Sequence, residues 1–155
     1  MKGRGLSRSC RVVLAAVVAA GPASAWCALG GQLPSVMADG SALHAAVRSE
    51  TTSVYTRHSM TLPTGTRVNE YAGADGVVFA VTWSGATSPD LSQLLGTYFS
   101  EYKTALPGSA SVPHRARTVQ GPRVVVQSAG IMRALHGRAY VPAALPAGVS
   151  VGGLQ

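Results

Sequence analysis

The sequence predicts an α+β domain: an antiparallel sheet of about five or six strands packed against one long amphipathic helix, behind a cleaved signal peptide. Three observations predict it. Residues 51–83 carry β-branched and aromatic runs separated by turn signals. One apolar stripe at helical spacing follows, from Leu91 to Leu106. Strand-like runs then return between His114 and Val141.

The elements follow in order. Met1 to Arg11 is basic, Val12 to Ala20 is an unbroken apolar run, and Ala23-Ser24-Ala25 offers small residues for cleavage. The expected cut is after Ala25, with Ala28 as the alternative. Gly21-Pro22 argues against an uncleaved membrane anchor, and no later segment is apolar enough to span. The layout divides the chain into a signal peptide at 1–25, a linker with a possible short helix at 26–50, an α+β domain at 51–141 and a Pro/Gly/Ala-rich tail at 142–155. Cys10 falls in the signal, so the exported chain keeps only Cys27. That excludes an internal disulfide and leaves a free thiol, a lipid attachment or a bond between chains.

Leu29 to Pro34 reads as extended, and Ser35 to Val47 as the short helix, weakened by Gly40. Thr51 to Met60 reads as a strand, Pro63-Thr64-Gly65 as a turn and Thr66 to Ala72 as a second strand. Gly73-Ala74-Asp75-Gly76 is a hairpin signal. Val77 to Trp83 is the clearest strand, with Val77, Phe79, Val81 and Trp83 expected on one face. Ser88 is the expected N-cap, with Pro89 at the first helical position and Asp90 in the first turn. Leu91, Leu94, Leu95, Tyr98, Phe99, Tyr102 and Leu106 build the stripe, and Pro107-Gly108 ends it. Afterwards His114 to Gln120, Arg123 to Ser128 and Ile131 to Val141 read as strands, with turns at Gly121-Pro122 and Ala129-Gly130. The tail is expected to wrap the surface.

Composition narrows the function. The 155 residues have a formal charge of +7, but Lys2, Arg4, Arg8 and Arg11 lie in the signal, so the exported chain carries about +3. A nucleic-acid binder needs a far more basic domain. The sequence holds no H-E-x-x-H, C-x-x-C, phosphate-binding loop or dinucleotide fingerprint. His44, His58, His114 and His136 show no metal-ligand spacing, so neither metal nor cofactor is expected.

Five of the six carboxylates have quiet explanations at turns, helix ends or solvated faces, which leaves Glu70. Pairing Ala72 with Val77 would turn Glu70 toward Phe79 and the core; an odd loop would turn it to water. The solvent-facing register is expected, with Tyr71 at least half buried, because unpaired carboxylates are rarely inside.

Charge is unevenly placed. Residues 26–101 hold three basic and six acidic groups, and residues 102–155 hold six basic groups and no acid. Arg115, Arg117, Arg123, Arg133 and Arg138 therefore form a candidate basic surface for an anionic partner. The competing reading is that this hairpin neutralises the acidic half.

Three stretches carry a family resemblance: Ala28-Leu29-Gly30-Gly31, the block Glu70 to Phe99, and Met132 to Ser150. Together they resemble exported proteobacterial proteins grouped as domain of unknown function 2844. The resemblance implies export and a single small domain, and it implies no activity. The expected role is a non-enzymatic protein of the Gram-negative periplasm or cell envelope. Its partner would be another exported protein or an anionic glycan or lipid. The alternative is a small periplasmic enzyme with dispersed residues, using Glu70 or His136.

Overall fold

A computed structural model describes residues 29–32, 46–106 and 116–155. Its scaffold is one antiparallel sheet of seven strands: β1 Arg48–Thr51, β2 Thr56–Thr61, β3 Arg67–Ala72, β4 Val78–Gly85, β5 Ala116–Gln120, β6 Val125–Ile131 and β7 Ala134–Tyr140. Their spatial order is β1-β2-β3-β4-β7-β6-β5. Two meanders thus meet at β4 and β7, which places the last strand of the chain at the centre. The α+β class and antiparallel pairing agree with the sequence reading, and the strand count exceeds it. β1 falls mostly in the stretch expected as linker, and the expected strand over Thr51 to Met60 is split between the last residue of β1 and all but the end of β2. Between them the Thr52 hydroxyl accepts from the amides of Val54 and Tyr55 and donates to the Tyr55 carbonyl. That local hydrogen bonding turns a run of good strand formers.

The helix is also broken. α1 (Leu91–Leu95) gives way to a 3₁₀ turn (Gly96–Tyr98) and then to α2 (Phe99–Ala105). Gly96 adopts φ +50° and ψ −120°, a conformation that only glycine takes without strain. The expectation of one long helix is corrected there. Its cap moves too. Asp90, not Ser88, is the N-cap, and its carboxylate accepts from the Ser92 amide at 2.8 Å and the Ser92 hydroxyl at 2.6 Å. These hydrogen bonds, the hydroxyl's foremost, hold its pKa below the usual carboxylate value. The stripe itself is real: Leu94 and Leu95 are buried, and Leu91, Tyr98, Phe99 and Tyr102 pack on the same core.

That core joins the helical segment to one face of the sheet. Met60, Val68, Val81, Trp83, Val126 and Ala139 supply it. Gly137 lets the Trp83 indole lie on β7, since a Cβ there would come within 2.3 Å of the ring. Leu29 is sealed into the same core, with its amide donating to the Leu94 carbonyl and the Gly30 amide to the Val78 carbonyl. The Leu29-Gly30-Gly31 stretch is therefore a stitch between helix and sheet rather than a free linker. Ser35 lies outside the described residues, as do Cys27 and nearly all of the helix expected before Val47.

A bulge decides which side chains face where. Tyr71 pairs with Ala80, whereas Ala72 pairs with Val78, so Phe79 is the extra residue. Val78, Val81 and Trp83 consequently share the helix-facing core, and Phe79 joins Tyr71, Ala80 and Leu154 on the opposite face. This corrects the expected Val77/Phe79/Val81/Trp83 face. It also places Glu70 opposite Val81 on the core side, where it is 1% exposed. The solvent-facing expectation for Glu70 is thus overturned, whereas Tyr71 is buried as expected. Both neighbours are inside because the sheet is covered on both faces here. The tail does the covering: Leu145, Val149 and Leu154 pack on Tyr71 and Phe79. Between β6 and β7 the chain reverses at Met132-Arg133; Ala129-Gly130, expected as the turn, continues β6.

Candidate anion-binding groove

Beside the Tyr71/Phe79 cluster, the rest of the second face of the sheet is polar. Strand register puts Arg48 and Glu50 of β1 beside Arg57 and Ser59 of β2. Next along the same face come Arg67 and Asn69 of β3, then Thr82 and Ser84 of β4. Arg138 and His136 of β7 follow, then Gln127 of β6 and Thr118 of β5. Residues from both edge strands line one groove of about 1210 Å³, so the sheet curls around it. Small-molecule pockets usually span roughly 300–1,000 Å³, so this groove has room for an oligosaccharide-sized ligand.

The lining holds five arginines (Arg48, Arg57, Arg67, Arg117 and Arg138), no lysine and one acidic side chain, Glu50. Glu50 is ion-paired with Arg57, and that hydrogen bond raises the Arg57 pKa further. Arg138 is already oriented on the floor. Its Nε donates to Gln127 Oε1 at 2.7 Å and one terminal nitrogen donates to the Val151 carbonyl at 2.7 Å. Asn69 Nδ2 and the Tyr71 hydroxyl donate to the Gln155 carbonyl at 2.9 and 2.6 Å, so the tail closes one end. Arg48, Arg67 and His136 remain exposed.

The five arginines expected as one basic surface are spread out. Arg138 lies in the groove, and Arg117 is half-buried on its lining, although its register pairs it with Ser128 on the alternate set of residues. Arg123 sits beyond the far end of β6, ion-paired with Glu101 of α2 and placed 5.2 Å from the Tyr98 ring centre. Its backbone amide and Nε also donate to the Glu101 carboxylate. It clamps the β5–β6 turn to the helix. Arg133 is at the opposite end, on the β6–β7 turn. Arg115 lies outside the described residues, as does His114.

Sequence reasoning missed Arg48, Arg57 and Arg67 because it summed charge by halves of the chain. Four of the six acids that made the first half look acidic go elsewhere. Asp75 holds a turn by accepting from the Val77 amide, Asp90 caps a helix, Glu101 holds Arg123 and Glu70 is in the core. The two-residue spacing of Arg57-Ser59 and Arg67-Asn69 was the available signal.

The alternative enzyme residues do not meet. Glu70 is on the core side, while His136 is exposed on the groove side. Glu70 instead lies directly across from His58 of β2, and His58 lies across from Ser49 of β1. The Ser49 hydroxyl and His58 Nδ1 are 2.8 Å apart. His58 is 3% exposed, and burial lowers its pKa. Among the described residues no group of three or more His, Cys, Asp or Glu side chains is arranged to hold a metal. No helix among them is long and apolar enough to cross a membrane.

Residues 25–154 match the family described as protein of unknown function DUF2844. The chain belongs to that family. All three stretches that carried the resemblance fall inside the match. No curated protein and no solved structure matches. Within the DUF2844 fold described here, Leu29-Gly30-Gly31 is the core stitch, and the block Glu70 to Phe99 carries the bulge, β4 and the capped helix.

Proposed function

We propose that this DUF2844 protein is a non-enzymatic, exported binding protein that takes an anionic glycan or lipid headgroup in the concave groove of its sheet. One observation carries the reading: five arginines and one acidic side chain line a single groove, and Arg138 is held in position by Gln127 and Val151. Guanidinium groups match phosphate and carboxylate in bidentate fashion, and an arginine fixed in advance loses less entropy on binding. Sugar hydroxyls would find Ser59 and Thr118 between the charges. The basic, apolar and small-residue order of residues 1–25 supports export.

Titration with a fluorescent heparin oligosaccharide, a general anionic glycan, tests this. The triple variant R48Q/R67Q/R138Q is expected to bind roughly tenfold or more weakly and with a flatter salt dependence. R123Q, which lies off the groove, should bind like wild type. Equal loss in both variants would refute the groove as the site.

The Ser49–His58–Glu70 row favours a second reading, a hydrolytic enzyme. A neutral imidazole beside a serine hydroxyl is the arrangement of an activated nucleophile. A fluorophosphonate probe would label Ser49, and S49A or H58Q would abolish labelling. An unlabelled wild-type chain removes this reading.

A further inference from the structure

The β6–β7 turn is unlike the rest of the surface. Among the described residues three large apolar side chains are exposed: Val54, at 38%, and the adjacent pair Ile131, at 71%, and Met132, at 90%. That pair forms the tip of a hairpin whose next residue, Arg133, has φ +66°. Arg133 is the one non-glycine residue with positive φ among those described. Glycine or asparagine is the usual occupant of such a position, because a Cβ is strained there. The fold therefore keeps two exposed apolar side chains and a strained arginine at one projecting point.

The surroundings indicate what the tip meets. Ser84 of β4 pairs with Arg67 on one side and His136 on the other, and the next pair along β4 and β7 is Gly85 with Leu135. Arg67 and His136 thus stand at the same end of the sheet as the tip, and both are exposed. Among the described residues, no acidic residue lies in the strands or turn at this end between Arg67 and Asn69, between Thr82 and Thr87, or between Gly130 and Arg138. Two side chains are far too small a patch for a specific protein interface, which buries roughly 800 Å² on each partner. They suffice for contact with a bilayer, where a few apolar side chains enter the headgroup region and neighbouring arginines meet anionic lipid.

We propose that the β6–β7 tip is a membrane-contact site: Ile131 and Met132 enter the interface of an anionic bilayer, and Arg133 and Arg67 engage its headgroups. The groove then opens toward the membrane surface, since Arg67 and His136 belong to both features. The proposal does not depend on the groove's ligand.

Flotation with phosphatidylcholine vesicles, with and without about one-third phosphatidylglycerol, tests it. The chain should float with the anionic vesicles at low salt and far less with phosphatidylcholine alone. I131S/M132S should reduce flotation roughly tenfold or more while leaving heparin-oligosaccharide binding unchanged. Both residues are exposed, so the substitution leaves the core intact, and the far-UV spectrum should match wild type. As a second measure, M132W should show blue-shifted emission on anionic vesicles, beyond any change in wild type. Three results would overturn the proposal: no flotation of wild type on anionic vesicles, equal flotation of I131S/M132S, or lipid-free self-association that the double variant abolishes. The last would identify a second copy of the chain as the partner.

Discussion

His58 ties stability to pH. Its imidazole is buried beside Ser49 and across from Glu70, and burial lowers its pKa. The unfolded chain takes up this proton near the ordinary value of about 6.5, and the folded chain only at lower pH. The unfolded state therefore binds more protons in that interval. The contribution of the neutral ring is complete above about pH 6.5 and is lost as pH falls toward the depressed native value. Urea midpoints should fall between about pH 7.5 and about pH 5.5, and H58Q should remove that part of the fall. An identical pH response in wild type and H58Q would show that His58 is not buried neutral. Neither the burial of His58 nor that of Glu70 was legible in the sequence. Both depend on the bulge at Phe79 and on β1 and β2 being separate strands, features set by register rather than by composition.

At the level of elements, Gly96 separates two accounts of the helical segment. In one continuous helix, G96A would stabilise the chain by about 1 kcal/mol, because alanine is the better helix former. With φ at +50° the same change should destabilise by about 1 kcal/mol or more. Thermal or urea denaturation of G96A gives the sign directly. The stripe from Leu91 to Tyr102 was legible because buried positions recur with the helical period even across the break. The break was not, since a glycine within such a stripe reads equally as a packing residue. Turn placement failed for a similar reason. Ala129-Gly130 looks like punctuation, yet Gly130 remains in the ladder, where a Cβ would strike the Ala134 carbonyl oxygen at 2.4 Å. Met132-Arg133 carries no turn signature, and the fold turns there regardless.

For the molecule as a whole, topology accounts for the site. The class, the antiparallel pairing and the helical stripe with Val81 and Trp83 of the core it covers follow from patterning that any local window contains. The groove does not, because it gathers Arg48, Arg57 and Arg67 from the first meander with Arg117 and Arg138 from the second. Only the central pairing of β4 with β7 brings those sets together. The tail completes the arrangement by covering Tyr71 and bracing Arg138 with the Val151 carbonyl. A segment rich in alanine, proline and glycine offers no periodicity from which such a role could be read.

The central claim is that this groove binds anions. A nuclear magnetic resonance titration of the labelled chain with the heparin oligosaccharide tests it most directly. Amide and arginine Nε signals should shift together at Arg48, Arg67, Asn69, Thr82, Gln127 and Arg138, and stay still at Arg123 and along the helix. Shifts centred on Arg123 and Glu101, or none on the groove face, would contradict the account.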